Sequence, residues 1–185
     1  TLCMKYLLTD QETERLQFRN LEIRDFEVWQ ELFFDETTKK MLGMQAFKTS
    51  KECCEKWFEW TFHRYENNLG GQNILVEKST GKIIGQAGLL VREVNGNQEI
   101  EIAYSILRNH RRNGFALEAI RKCKDFAFEN NFHERLISMI IPENINSKKT
   151  AEKNGLQYKE QIHYSHQKFD IYEITKEIWR KSTAI

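Results

Sequence analysis

Apolar and polar positions alternate through "ERLQFRNL", residues 14 to 21, placing Leu16 and Phe18 on one side as in a half-buried strand. Beyond Asp25, a residue type suited to capping a helix N-terminus, the period lengthens. Phe26, Trp29, Leu32 and Phe33 recur at helical spacing in "DFEVWQELFFDE", and Cys54, Trp57, Phe58 and Phe62 do so in "SKECCEKWFEWTFHRYENN". This predicts two amphipathic helices. Alternation returns over 73 to 78, 82 to 92 and 98 to 106, three strands joined by turns at Thr80-Gly81 and Asn95-Gly96, which predicts an antiparallel meander.

After Gly114 the spacing of Ala116, Ala119, Ile120, Cys123, Phe126 and Ala127 predicts a helix ending near Asn130-Asn131. "RLISMIIPE" is a strand stopped by Pro142. A short polar helix from about Asn146 to Asn154, closed by Gly155, leads to strands at 156 to 164 and 168 to 175, and Thr175 caps a last turn ending near Trp179. The order predicts an α/β protein with a mixed sheet and helices on its faces.

The 185 residues suit one domain with a substantial core, and a single proline with 9 glycines leaves no linker-like segment. The 28 basic and 27 acidic side chains leave a net charge of +1, so no global field favours nucleic acid or an anionic membrane. Cys3, Cys53, Cys54 and Cys123 form no CxxC pair. They read as reduced thiols of a cytoplasmic protein, with no metal site expected. No apolar run approaches the roughly 20 residues of a spanning helix, and the first residues lack a secretory h-region, so a soluble, unexported chain is expected.

Charge is concentrated in "RNHRRNGFALEAIRK", residues 108 to 122, where a strand meets a basic turn, a glycine and a helix. A helix N-terminus offers unpaired N–H groups and partial positive charge, a glycine admits close approach, and Arg111 and Arg112 add charge, so the segment reads as an anion site. Neither GxGxxG nor GxxxxGK[ST] occurs in the chain, which removes the main support for dehydrogenase or phosphate-loop kinase readings.

Arg111, Gly114 and Ala116 resemble the R/Q-x-x-G-x-G/A pyrophosphate motif of the GNAT superfamily of acetyl-CoA-dependent N-acetyltransferases, and "NGFALEA" looks like the "GKGYATEA" of its RimJ/RimL branch. In the order of that branch, "ETERLQFRNLEIRDFEVW" is similar to its opening, "GKIIGQAGL" and "EIEIAYSI" to its central strands, "PENINSKKTAEKNGL" to "NxxSxxxxEKxGF", and "DIYEITKEIW" to "xxYxLTxEEW". The resemblance spans about residues 12 to 180 and implies the GNAT fold, with a mostly antiparallel sheet splayed at the cofactor strand.

It also implies that Tyr104, Ser105 and Ile106 line the pantetheine arm of acetyl-CoA, with Asn144 reaching its amides, and that Arg111, Arg112, Asn113, Gly114, Phe115 and Ala116 surround the pyrophosphate. Relatives commonly have glycine where this chain has Arg112; a positive φ there would strain an arginine. Arg108 and His110 read as solvated surface groups. Attack of an amine on a thioester needs a base for the ammonium, a donor to the oxyanion and an acid for the thiolate. The tyrosine that many relatives use as the acid falls on Ala151, so the resemblance points to Ser147 as proton donor. Asn146 and Ser147 equally suit a helix cap.

By its match to the branch, Glu101 is the candidate base. Strand alternation sets it opposite the face of Ile100, and Glu99, exposed cross-strand pairing and bulk water remain alternatives. His63, His133, His163 and His166 lie outside the matched motifs. The first two helices and the 162 to 169 hairpin are expected to hold the acceptor, and Trp57, Trp60, Phe62 and Tyr65 cannot all face one core. The expected activity is acetyl transfer to a primary amine in a ternary complex, with a protein N-terminus as the leading acceptor and a polyamine, amino acid or aminoglycoside as the alternative; a non-catalytic acyl-CoA-binding module is the competing class. Either a monomer or a homodimer fits.

Overall fold

A computed structural model describes residues 4 to 184; Cys3 lies outside them. A seven-stranded sheet in the order β1-β2-β3-β4-β5-β7-β6 comprises β1 (Leu16–Arg19), β2 (Gly70–Glu77), β3 (Ile83–Val94), β4 (Asn97–Ile106), β5 (Arg135–Ile140), β6 (Gln157–Tyr164) and β7 (Gln167–Thr175). β1 to β4 form an antiparallel run containing the expected meander, with Gly88 opposite Ala103 and Gln72 opposite Gly88. The crossover through α4 (Phe115–Glu129) brings β5 parallel to β4, and these two strands pair at Glu101↔Ile137 alone. They diverge beyond it. β7 adds to β5 and β6 to β7, both antiparallel.

The first expected helix is interrupted. α1 (Phe26–Gln30) passes into a 3-10 turn, Glu31–Phe34, and a separate α2 (Glu36–Met41) follows. The break falls at Asp35, whose extended backbone lets its carboxylate accept the Thr38 N–H at 3.0 Å and start α2 anew. Asp25 does not cap α1; its carboxylate pairs with Arg19 at 2.7 Å and accepts the Glu22 N–H. α3 (Ser50–Glu66) forms as one helix behind a Thr49–Glu52 capping box.

β2 starts three residues earlier than periodicity indicated, and β3 runs to Val94. The short helix α5 (Ile145–Lys153) begins one residue early because Asn144 is its cap, and Gly155 closes its end with φ +88°. The final helix, α6 (Lys176–Thr183), is longer than one turn.

One sheet face is covered by α4, where Ala119, Cys123 and Ala127 permit close approach to Leu89, Ile100 and Ile102. The opposite face carries α1 to α3, with Trp29, Phe33, Cys54 and Phe58 against Ile74. Strand alternation places Ile100 and Ile102 under α4 and turns Glu99 and Glu101 to the other face. Cys53, Cys54 and Cys123 are buried free thiols, and burial pushes the Cys54 thiol up to about 12. Among the described residues no helix is long and apolar enough to cross a membrane.

Candidate active site

The divergence of β4 from β5 opens a cavity of about 220 Å³ that passes through the sheet. On the α4 side Tyr104, Asn144, Ser147 and Ala151 line it; on the α3 side Glu101, Ser105, Gln72 and Arg92 do, closed by Trp57 and Phe169. Ser138 marks the split, its hydroxyl donating to the Ile102 carbonyl at 3.0 Å.

Asn144 accepts the Ser147 N–H through Oδ1 at 3.2 Å, so capping and cleft lining fall to the same side chain. Ser147 is consequently not the cap. Its hydroxyl lies 3.2 Å from the Tyr104 hydroxyl, joining α5 to β4 across the cleft. α5 is anchored behind this contact by Lys148, which meets Asp170 of β7 at 2.5 Å. Burial opposes ionisation of Asp170, but Lys148 and Gln161 donate to it and hold its carboxyl below the usual range. Asp170 in turn raises the Lys148 ammonium.

Glu101 is buried, and Arg92 Nε donates to its Oε2. The charge of Glu101 raises the Arg92 guanidinium further. Glu99 is held by Arg135 instead and does not line the cavity. Ile106 also stands apart: its side chain packs in the α4 core, and its carbonyl accepts Arg111 Nε at 2.9 Å.

The turn after β4 is built around that arginine. Arg111 Nη2 also donates to Thr38 Oγ1 at 3.1 Å, tying the turn to α2. Arg112 adopts φ +65° and Gly114 φ +80°, so the strain foreseen at Arg112 is present and costs about 1–2 kcal/mol. Asn113 donates to the carbonyls of His110 and Arg111 at 3.2 and 3.3 Å. Glu118 makes the first helical bond, to the Gly114 carbonyl at 3.1 Å, leaving the amides of Phe115, Ala116 and Leu117 at the positive end of α4.

Arg15, which the charge pattern did not single out, donates to the Asn113 carbonyl at 2.9 Å, pairs with Glu118 and covers the buried Phe115 ring at 4.4 Å. Burial would raise the Glu118 carboxyl, yet the Thr13 hydroxyl and Arg15 hold it below its ordinary value. Arg108 and His110 line a separate groove of about 600 Å³ with Lys82 and the exposed Phe34.

The expected acceptor aromatics divide. Trp57 faces the cleft, Trp60 is exposed beside Phe47, and Phe62 and Tyr65 pack with the α3 core. Two buried polar atoms on the cavity's α3 side, Gln72 Oε1 and Ser105 Oγ, have no protein partner.

A splayed parallel pair with a glycine turn leading into a helix N-terminus is the expected frame of an acyl-CoA-dependent acetyltransferase. The acetyltransferase (GNAT) domain profile matches residues 15–157. YkkB of Bacillus subtilis (strain 168) is 30% identical over 162 residues, covering 87% of this chain and 92% of that protein. The spermidine N-acetyltransferase from Vibrio cholerae, solved with CoA and spermine, superposes with TM-score 0.72 at 15% identity, over 91% of this chain and 99% of that one. RimL, a ribosomal L7/L12 alpha-N-protein acetyltransferase solved with coenzyme A, gives TM-score 0.70 at 10% identity, over 90% and 97%. The chain belongs to the GNAT acetyltransferase family and is an N-acetyltransferase.

Proposed function

We propose that this chain transfers acetyl from acetyl-CoA to a primary amine by direct attack within a ternary complex, as expected for an enzyme of the RimJ/RimL type acting in the cytoplasm. The observation that carries the reading is the Tyr104–Ser147 hydroxyl pair, 3.2 Å apart on opposite walls of the β4–β5 split. Acetyl-CoA supplies the thioester: a C–N bond forms, the C–S bond breaks, the amine's proton leaves to a base and the thiolate takes a proton.

Ser147 is the donor to the departing sulfur, and Tyr104 restores its proton. A phenol is inherently a better acid than an aliphatic hydroxyl, so Tyr104 compensates from β4 for the alanine at position 151. A thiol near pKa 8.5 needs little help to leave, which keeps the demand on this pair small. Glu101, positioned by Arg92, receives the ammonium proton directly or through water. The Phe115 to Leu117 amides at the α4 N-terminus hold the pyrophosphate, Tyr104 and Ser105 flank the pantetheine arm, and Asn144 presents its remaining polar atoms to it.

Thermal stabilisation by acetyl-CoA followed by two-substrate kinetics tests the reading. Double-reciprocal plots should intersect, and Ser147→Ala should lower kcat by about 10²-fold with little change in KM for acetyl-CoA. Parallel plots would refute the ternary complex. An unchanged kcat would remove Ser147 from the mechanism.

A further inference from the structure

Positive charge outweighs negative on the α3 side of the cavity. Arg92 stands opposite Glu99 in the β3–β4 register, but Arg135 of β5 holds Glu99 through two nitrogens, and Arg92 reaches to Glu101 instead. Arg64 of α3 adjoins this pair. Its Nη1 donates to the carbonyls of Leu69 and Val91, each at 3.0 Å, and burial together with the Arg92 charge pushes its guanidinium below the ordinary value. Neither arginine forms another salt bridge among the described residues. Two guanidiniums thus share one carboxylate in a half-buried space, an excess that favours an anionic ligand group.

Arg92 and Glu101 both line the cavity, and each keeps part of its hydrogen-bonding capacity open. Nε of Arg92 donates to Glu101 Oε2, whereas Nη1 and Nη2 donate to no protein atom among the described residues; the side chain is 25% exposed, and neither nitrogen is sealed from solvent. Glu101 Oε1 is open in the same way. Tyr164 of the β6–β7 hairpin steadies the guanidinium, its ring centroid 5.9 Å from Cζ. A guanidinium fork matches a carboxylate, and a carboxylate oxygen accepts an amine N–H. The two stand side by side, as the amine and carboxylate of an α-amino acid do across a single carbon. A polyamine or aminoglycoside would bring further ammonium groups against two guanidiniums, and a protein N-terminus would present a neutral amide to the fork. Leu42, Leu90, Trp57 and Phe169 give a side chain apolar walls, Trp57 being fixed by its Nε1 bond to Gln86 Oε1 at 3.1 Å.

We propose that the acceptor is a free α-amino acid with an apolar side chain, its carboxylate held by Arg92 Nη1 and Nη2 and its amine presented to Glu101 Oε1, and not a polyamine, an aminoglycoside or a protein N-terminus. This rests on the acetyl-transfer reading above and selects the small-molecule branch of it. The acetyl group passes from sulfur to the amine nitrogen, Glu101 takes the amine's proton, and the thiolate recovers one through Ser147, giving an N-acetyl amino acid and CoA. Arg92 is the specificity-determining residue: it binds the carboxylate, while Ser147, Tyr104 and Glu101 handle protons.

The test follows thiol release from acetyl-CoA with L-phenylalanine and L-leucine, with 2-phenylethylamine and isoamylamine, which lack only the carboxylate, with the two amino acid amides, and with spermidine. Rates are compared per unprotonated amine. At least one amino acid should show a kcat/KM about tenfold or more above its amine and its amide. Arg92→Gln should lower that amino acid-to-amine ratio about tenfold or more, through KM for the amino acid. Loss of Glu101 positioning alone would slow the amino acid and the amine alike and leave the ratio unchanged. The variant should retain the thermal shift given by acetyl-CoA, which establishes that it is folded and competent for the donor. If it lacks that shift, Arg92→Lys replaces it, keeping a cation beside Glu101 without the fork, and the ratio should fall about fivefold. An unchanged ratio in the folded variant would overturn the proposal, as would faster turnover of an amine, an amide or spermidine by the wild type. Stabilisation by acetyl-CoA with no turnover of either amino acid would also overturn it, leaving the donor site intact. Absence of any acetyl-CoA stabilisation in the wild type would refute the acetyl-transfer reading itself and this proposal with it.

Discussion

Replacement of Arg111 by alanine separates two ways an arginine can serve a phosphate-binding turn. If its guanidinium reached the pyrophosphate, as the motif alone suggests, the ligand-free enzyme would be indifferent to the change and only acetyl-CoA affinity would fall. The geometry predicts otherwise. Nε is committed to the Ile106 carbonyl at 2.9 Å and Nη2 to Thr38 Oγ1 at 3.1 Å, so the side chain fastens the turn to the end of β4 and to α2. Hydrogen bonds to a charged group contribute about 1.5–3 kcal/mol each when buried. Arg111 is solvent-exposed over part of its length, and screening reduces the pair to about 2 kcal/mol in total.

For a chain of this size that corresponds to a fall of about 4–8 °C in the melting temperature of the ligand-free protein. Arg111→Lys should recover little of it, because an ammonium lacks the planar fork that spans two acceptors. Differential scanning calorimetry without ligand, with titration of acetyl-CoA in parallel, supplies both readings. A ligand-free melting temperature within 1 °C of wild type, accompanied by weakened acetyl-CoA binding, would refute the tether and restore the direct phosphate contact.

Arg112→Gly should raise ligand-free stability by about 1 kcal/mol, or about 2–4 °C, because it relieves an arginine at φ +65°; an unchanged or lower melting temperature would show that the side chain compensates its backbone. Lys148→Met should cost about 2 kcal/mol at pH 7 by leaving Asp170 without its ammonium partner. Asp170 has a lowered pKa in the folded protein, so its contribution is present above about pH 4, the unfolded range, and is lost as pH falls through the folded value; Lys148 is raised, so its contribution holds until pH exceeds about 10.4. Wild type and Lys148→Met should therefore converge in stability below about pH 4 in acid titrations followed by circular dichroism, and a constant gap down to pH 2 would contradict the assignment.

Much of this protein was legible in the order of its residues because much of it is local. The meander of β2, β3 and β4 followed from a period of two broken at Gly81 and Gly96, and α4 from a period near 3.6 behind Gly114. The break at Asp35 was harder to see, since apolar residues continue at helical spacing up to it while the carboxylate recruits the Thr38 N–H to begin another helix. Arg15 carried no signal of its own; it matters because β1 sits where its guanidinium can reach both Asn113 and Glu118.

The sequence by itself determined the mixed α/β class, the GNAT resemblance and the basic turn ahead of α4, and it singled out Glu101, Asn144 and Ser147, which line one cavity. Those features depend on spacing along the chain or on short motifs, and both survive without coordinates. Only the tertiary structure decided that Arg111 ties its turn to Ile106 and Thr38, that Glu101 is paired with Arg92 while Glu99 is not in the cleft, and that a tyrosine hydroxyl reaches Ser147 from β4. It also decided that Gln72 Oε1 is buried without a protein partner. The reason is physical: a hydrogen-bond partner, or the lack of one, belongs to the environment that packing brings around a side chain, and the partners here lie 5 to 73 residues away along the chain.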